Sequence, residues 1–257
     1  MSIAALKVVN VTKKFGGIAA ISDVTLEVAD GSLTALIGPN GAGKTTLFNL
    51  ITNLFTPTAG EMYLYGAPLK DLSPGRIAGL GLIRTFQTAR VFPGMTVLEN
   101  VLVGGHRKVR CHAVAQMLWA TSARREEREV TARADAYLDI IGLSRFRDDA
   151  ATDLPMGAQK LLEVIRALMA RPRLLLLDEP AAGLNDSETG ELASLLRAIR
   201  KSGVTVIVVE HNMSLVMGVA DQVMVLDAGI LVASGSPQEI RRNERVIEAY
   251  VGREAPV

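Results

Sequence analysis

The chain has 257 residues, of which 49% are hydrophobic, 21% are charged and only 4% are aromatic. Its 28 basic and 27 acidic residues leave a net charge of +1, which argues against a main partner that is nucleic acid or an anionic membrane surface. The single cysteine, Cys111, cannot form a disulfide within the chain, as is usual in a reducing compartment.

Residues 1–15 lack the apolar stretch of a signal peptide, and no window reaches the roughly 18 apolar residues of a membrane span. We therefore expect a soluble, cytoplasmic protein, for which any membrane role would have to come through a partner.

The first third of the chain has the pattern of β-strands. Residues 22–28 alternate apolar and polar side chains, as in a strand with one solvated face. Residues 33–37 are a short apolar run that leads into a glycine-rich turn, which predicts a buried strand. Residues 61–65 predict another strand, which Gly66 closes.

The middle of the chain, residues 88–170, has a mainly helical pattern. Within a strongly charged segment, apolar residues recur at three- and four-residue steps, as on one face of a helix: Val130, Ala134, Tyr137 and Ile141. Gly142 is placed to end this helix.

The last third alternates strands with helices. The predicted strands are 173–180, 204–210, 222–227 and 230–235. A helix is predicted at 187–203, between the first two of these strands. The sequence Ser-Pro-Gln-Glu at 236–239 is a capping box that starts a C-terminal helix. The fold class is therefore α/β, with a catalytic core at 1–87 and 168–257 interrupted by a helical subdomain at 88–167.

A phosphate-binding loop follows the predicted strand 33–37. The sequence GPNGAGKTT fits the pattern G-x-x-x-x-G-K-[ST], and its members are Gly38, Pro39, Asn40, Gly41, Ala42, Gly43, Lys44, Thr45 and Thr46. Glycines let successive N–H groups face an anion at the positive end of the following helix. Lys44 is expected to reach the β- and γ-phosphates of ATP, and the Thr45 hydroxyl to bind Mg²⁺.

Two acidic residues at the end of the buried strand 173–180 complete the predicted nucleotide site. Asp178 is placed on the magnesium side of the sheet edge. Glu179 can polarise the attacking water as a general base.

With these motifs in this order, nearly the whole chain resembles the ATP-binding subunits of ABC transporters. The resemblance implies a P-loop NTPase (RecA-like) core with an antiparallel β subdomain and an inserted helical subdomain. It also implies roles for three residues: Gln87 of RTFQ contacts Mg²⁺ and the water, His211 contacts the γ-phosphate, and Phe15 stacks on adenine. Residues 181–185, AAGLN, match the D-loop.

Several stretches resemble the ATPases of branched-chain (hydrophobic) amino acid importers, and specifically the longer of that system's two ATPase subunits. Among them are VFPGMTVLENVLVG, LLLLDEPAAGLN and VIEAYVG. Residues 104–127 occupy the place where the longer subunit carries extra residues. Packing within the helical subdomain is favoured for them over contact with a partner.

The signature loop of this family, usually Leu-Ser-Gly-Gly-Gln, reads LPMGA here. Pro155 is usual in the branched-chain subfamily, whereas Met156 and Ala158 stand where Tyr and Gln are usual. Gly157 is predicted to open a helix at 157–170 whose free N–H groups still suit a phosphate. We therefore expect the altered loop to weaken the site rather than to abolish it.

The resemblance implies that two cassettes clamp two ATP molecules, so the partners are a second ATPase subunit and integral permease subunits. A periplasmic solute-binding protein is an indirect partner, and no nucleic acid is expected. The chain would lie on the inner face of the cell membrane as a peripheral subunit. The alternatives are the ATPase of a lipid or polysaccharide exporter and a soluble, nucleotide-gated switch.

Overall fold

Six strands form the sheet that carries the predicted nucleotide site. A computed structural model of the chain describes residues 4–85, 91–105 and 121–251. The sheet has the strand order β10-β9-β3-β8-β7-β6, and all neighbours are parallel except β10 and β9. Its strands are β3 (Leu33–Ile37), β6 (Leu82–Arg84), β7 (Leu174–Asp178), β8 (Thr205–Val209), β9 (Gln222–Asp227) and β10 (Ile230–Gly235).

The three central strands β3, β8 and β7 are buried along their whole length. Parallel strands covered on both faces are rich in apolar side chains, which is why these segments are mainly aliphatic. Because parallel strands end at the same edge, the segments that follow β3, β7 and β8 lie close together.

A second, antiparallel sheet has the strand order β2-β1-β4-β5. Its strands are β1 (Ala4–Phe15), β2 (Ile18–Ala29), β4 (Ala59–Leu64) and β5 (Ala67–Pro68). Apolar residues from both sheets and from helix α1 (Lys44–Ile51) form one core cluster. The antiparallel β subdomain that the resemblance implied is confirmed.

The remaining helices lie between and after the strands along the chain. They are α2 (Pro74–Gly79), α3 (Val97–Gly105), α4 (Thr121–Ile140), α5 (Met156–Met169), α6 (Asp186–Lys201), α7 (Met213–Val219), α8 (Pro237–Arg241) and α9 (Glu244–Val251). Short 3₁₀ turns occupy Ser144–Phe146 and Ala151–Asp153. No helix within the described ranges is both long and apolar enough to cross a membrane.

The chain divides into two units. The sheet unit comprises Met1–Arg84, Arg173–Ala182 and Leu196–Val257, and the helical unit comprises Thr85–Pro172 and Gly183–Leu195. The helical unit has its own core, in which α3, α4 and α5 bury Val101, Leu138 and Ile165.

Most predicted elements are confirmed, with small shifts at their ends. The capping box is present: the Glu239 N–H donates to the Ser236 hydroxyl, and the Ser236 N–H donates to the Glu239 carboxylate. The predicted face of α4 packs on the helical core through Val130, Ala134 and Tyr137, and Ile141, one residue beyond the end of the helix, packs there too.

Two sequence predictions need correction, and one strand was missed. The helix predicted at 157–170 begins one residue earlier, at Met156, because Pro155 has the extended ψ of a helix cap. The strand predicted at 61–65 ends at Leu64, because Tyr65 adopts a φ of +49° in the turn. Strand β1 was not predicted, since its lysines and asparagine interrupt the alternation that a strand usually shows.

Candidate functional site

The phosphate-binding loop connects β3 to α1, and two of its glycines are required by close backbone contacts. A β-carbon on Gly38 would lie 2.0 Å from the carbonyl oxygen of Leu226, and one on Gly43 would lie 2.6 Å from that of Ala20. Gly43 also has a φ of +101°, which side-chain-bearing residues rarely adopt. The strand, glycine-rich loop and helix order that the motif requires is therefore present.

Lys44 is the first residue of α1 and is only 6% exposed. Its ammonium group donates hydrogen bonds to the carbonyl oxygens of Gly38, at 2.7 Å, and Pro39, at 2.9 Å. Burial lowers the pKa of Lys44, whereas the carboxylates of Glu179 and Asp178 oppose this shift. The Lys44 side chain thus folds back towards its own loop, where its ammonium group is bound to two carbonyl oxygens. An anion can replace these carbonyl groups as the partner of the ammonium group.

Asp178 ends β7 and is paired with an arginine that the sequence reading overlooked. The Arg84 guanidinium contacts the Asp178 carboxylate at 2.8 Å and donates a second hydrogen bond to the Asn49 side-chain oxygen at 2.6 Å. It also lies over the Phe48 ring, 5.5 Å from the ring centre. A cation at the end of the otherwise apolar strand β6 was the available signal, but the partner carboxylate is 94 residues away.

We expect the Arg84–Asp178 pair to contribute strongly to stability, because both side chains are nearly buried. Arg84→Met should lower the free energy of unfolding by about 3–5 kcal/mol, since it removes the hydrogen-bonded cation that lies against a buried carboxylate. Urea denaturation measures this change. Arg125→Met is the control, because its pair with Glu129 is highly exposed and should contribute nothing measurable. Equal denaturation midpoints for the two variants would contradict the assignment.

Glu179 and His211 meet at the same edge of the sheet. The His211 imidazole nitrogen Nε2 lies 2.9 Å from the Glu179 carboxylate oxygen Oε1. Glu179 adopts a φ of +50°, and its N–H donates to the carbonyl oxygen of Val209 at 2.9 Å. A non-glycine residue in this strained region often marks a functional position. The turn aims the Glu179 side chain towards His211.

Glu210, between β8 and His211, is the second residue that the sequence reading overlooked. It is 2% exposed, and its carboxylate accepts hydrogen bonds from backbone N–H groups of the turns that follow β7 and β8. Burial raises the pKa of Glu210, and these hydrogen bonds oppose the shift. Its only sequence signal was an acidic residue at the end of an apolar run.

Phe15 ends β1 and is 45% exposed. Its ring packs edge-on against Phe55 with the centres 5.3 Å apart, and the Lys13 ammonium lies 5.0 Å from the Phe15 ring centre. Lys13 is itself held by a 2.7 Å hydrogen bond to the carbonyl oxygen of Thr56. The Phe15 ring is held in place by Phe55 and remains partly exposed, so one of its faces can stack on a flat ligand.

The signature loop belongs to the helical unit. Met156 is 59% exposed, whereas Ala158 packs against the helical core. Gly157 is buried, and a β-carbon there would lie 2.2 Å from a carboxylate oxygen of Glu188. Glu188 exchanges hydrogen bonds with Asn185, so a larger residue at 157 would have to displace a side chain that is held in place.

The predicted site residues fall into four groups, one of which is Phe15, packed against Phe55 and Lys13 at the end of β1. Lys44, Asp178, Glu179 and His211 come together at the carboxyl edge of the large sheet, with the loop 38–46 beside them. Gly157 lies in the other unit. Gln87 lies outside the described residues.

The predicted magnesium ligands have the right chemistry for that ion. Thr45 is exposed at the start of α1 and offers a hydroxyl oxygen, and Asp178 offers a carboxylate oxygen. Mg²⁺ prefers such hard oxygen ligands and is commonly held by one or two of them together with substrate phosphates. Among the described residues there is no cluster of three or more His, Cys, Asp or Glu side chains suited to a metal. The donor set therefore fits Mg²⁺ that arrives with a nucleotide.

Comparison with known proteins agrees with this geometry. A family model described as "ABC transporter" matches residues 21–182, and one described as "Branched-chain amino acid ATP-binding cassette transporter" matches residues 231–256. The chain is 42% identical over 253 residues to two high-affinity branched-chain amino acid transport ATP-binding proteins, BraF of Pseudomonas aeruginosa and LivG of Escherichia coli K12. Each alignment covers 98% of this chain and 99% of the relative.

Solved structures show the same fold. An ATP-binding cassette of an ABC transporter in its ADP conformation superposes with a TM-score of 0.83 at 31% identity, covering 98% of this chain and 99% of that one. A dimeric cassette bound to ADP and phosphate superposes with a TM-score of 0.76 at 28% identity, covering 90% of this chain and 98% of that one.

Proposed function

The chain belongs to the ABC transporter family of ATP-binding proteins, and we propose that it hydrolyses ATP to power a membrane importer of branched-chain or related hydrophobic amino acids. The observation that carries the proposal is the meeting of Lys44, Asp178 and the Glu179–His211 pair at one sheet edge beside the glycine-rich loop. The 42% identity to BraF and LivG supports the solute class, and it favours the longer ATPase subunit over an exporter or a soluble switch.

In the proposed mechanism, the backbone of residues 38–46 cradles the phosphates of ATP. The Lys44 ammonium exchanges its carbonyl partners for oxygens of the β- and γ-phosphates. Thr45, Asp178 and Gln87 would hold Mg²⁺, which when bound neutralises charge on the same phosphates. The Phe15 ring would stack on adenine.

Glu179 acts as the general base. Its carboxylate accepts a proton from the attacking water as the oxygen bonds to the γ-phosphorus, and the bond to the bridging oxygen breaks to release ADP. His211 lies 2.9 Å from Glu179, so it can hold that carboxylate in place and contact the γ-phosphate from the same position. Gln87 is proposed to help place the water.

The proposed working unit is a pair of cassettes on integral permease subunits at the inner face of the cell membrane. Gly157 and the N–H groups at the start of α5 would face the nucleotide held by the opposite cassette. A periplasmic solute-binding protein would deliver the amino acid, and nucleic acid has no part in the cycle. The dimeric cassette that superposes on this chain supports pairing.

The proposal is tested by reconstituting the chain with its permease subunits and partner ATPase in proteoliposomes. A solute-binding protein loaded with leucine should stimulate ATP hydrolysis and drive uptake of labelled leucine. The chain carrying Glu179→Gln is the control and should support neither. Hydrolysis that responds to lipid or polysaccharide but to no aliphatic amino acid would favour the exporter instead.

The signature loop should make the two nucleotide sites unequal in a heterodimer. Met156 and Ala158 stand where Tyr and Gln are usual in the loop that faces the partner's nucleotide, so a homodimer of this chain should turn over slowly. Restoring one hydrogen bond to a charged phosphate by Ala158→Gln should raise its turnover about tenfold or more. ATPase assays of the lone wild-type chain, the lone variant and each with the partner subunits measure this. Fast turnover by the lone wild-type chain, unchanged in the variant, would show that the loop causes no asymmetry.

A further inference from the structure

Glu210 is a buried acid between two turns of the proposed catalytic site. It directly follows β8, and β8 pairs with β7 so that Asp178 lies opposite Val209. The residues that follow these partners, Glu179 and Glu210, are therefore neighbours at the sheet edge. A carboxylate that is 2% exposed is costly unless its oxygens are hydrogen-bonded.

The two carboxylate oxygens of Glu210 accept hydrogen bonds from two different segments of the chain. Oε1 accepts a hydrogen bond from the Ala181 N–H at 2.6 Å, in the turn that carries Glu179. Oε2 accepts hydrogen bonds from the N–H groups of His211, at 3.0 Å, and Asn212, at 3.3 Å. All three partners are donors, so an ionised carboxylate matches the site. One side chain thus ties the turn after β7 to the turn after β8.

These contacts close a ring around the proposed general base. From Glu179 the chain runs through Pro180 to Ala181, across the Glu210 carboxylate to His211, and back through the 2.9 Å contact between His211 Nε2 and Glu179 Oε1. The backbone segments that carry Glu179 and His211 are therefore both hydrogen-bonded to the Glu210 carboxylate. Moving either turn would change the distance between His211 and Glu179.

We propose that Glu210 is a positioning residue that sets the distance and orientation between Glu179 and His211 during ATP hydrolysis. The inference rests on the proposed function of that pair. Glu210 acts through the two turns and needs no contact with ATP. Its loss should affect the chemical step more than nucleotide binding, because Lys44 and the loop 38–46 do not depend on it.

Glu210→Gln is the informative change, because the amide has nearly the same shape but replaces one acceptor oxygen with a donor group. That group would face a backbone N–H, and one of the two turns would lose its anchor. We expect kcat to fall about ten- to a hundredfold while KM for ATP stays within about twofold. If this variant does not fold, as judged by circular dichroism, Glu210→Asp takes its place; its shorter carboxylate keeps the charge but cannot reach both turns.

A double-variant cycle separates positioning from a structural role. If Glu210 acts through His211, combining Glu210→Gln with His211→Ala should lower kcat little further than His211→Ala alone. Asp221→Asn is the matched control: Asp221 follows α7, accepts the Leu33 N–H at 2.9 Å and pairs with Arg200, but touches neither turn. It should lower stability and leave kcat unchanged.

Three outcomes overturn the inference. An unchanged kcat in Glu210→Gln does so directly, and so does a loss in the double variant that equals the product of the two single losses. If His211→Ala itself leaves kcat unchanged, the proposed role of His211 fails and the inference fails with it. The first two outcomes leave the proposed ATPase function intact.

Discussion

Glu179→Gln will keep ATP binding and lower turnover by at least about a hundredfold. The glutamine amide cannot accept the proton of the attacking water, and it also alters the contact with His211, which lies 2.9 Å from the Glu179 carboxylate. Because binding depends on Lys44 and the glycine-rich loop, nucleotide affinity should remain. Single-turnover hydrolysis and equilibrium titration with ATP measure the two effects separately.

An unhydrolysed ATP should also hold two cassettes together. We therefore expect the Glu179→Gln variant to form a larger species with ATP, but not with ADP, in light-scattering measurements. Glu61→Gln is a suitable control, since Glu61 is an exposed carboxylate on β4 in the same unit. Wild-type turnover in Glu179→Gln would show that another group takes the proton.

The parts of the fold that were predictable are those with strong local signals. Mainly aliphatic runs predicted β3, β7 and β8, and the Ser236–Glu239 capping box located the start of α8. Each of these signals involves only a few neighbouring residues, so it can be recognised from the sequence alone. Strand β1 was missed because its lysines and asparagine obscure the period of two, and its pairing with β2 and β4 contains several register shifts.

The candidate site was predictable where a motif exists and not where only tertiary contacts matter. The loop around Lys44 has a motif with fixed spacing, whereas Arg84 and Glu210 act on partners 94 and 29 residues away. A lone arginine or glutamate at a strand end is usually solvated, so nothing local marks these two as buried anchors. Their roles follow from burial and hydrogen bonds, which only the folded chain supplies.

The strained backbone conformation of Glu179 is another feature that could not be predicted from the sequence. Its φ of +50° is uncommon for a glutamate, and no neighbouring residue pattern predicts it. The conformation follows from the strand pairing, because the Glu179 N–H is bonded to Val209 of the adjacent strand. The same pairing places Glu210 where it can reach Ala181. Sheet register therefore determines the geometry of the proposed catalytic pair at this edge.

Lys44→Ala will weaken ATP binding by at least about a hundredfold, which is the largest loss of affinity expected from one substitution in this chain. The ammonium group is the main positive charge available to the β- and γ-phosphates, and each charge-assisted hydrogen bond is worth about 1.5–3 kcal/mol. In the free protein the same group is held by the carbonyl oxygens of Gly38 and Pro39, so it is already placed before ATP arrives. Titration with a fluorescent ATP analogue measures the affinity.

Two further variants decide whether position or charge is responsible. Lys7→Ala removes an exposed lysine from β1 of the same unit and should leave the affinity unchanged. Lys44→Arg keeps the charge, but the broad guanidinium does not fit a site that is 6% exposed, so binding should still be impaired. Undiminished ATP affinity in Lys44→Ala would contradict the assignment of the loop. Full rescue by Lys44→Arg would mean that charge alone suffices and that the two carbonyl contacts do not preorganise the site.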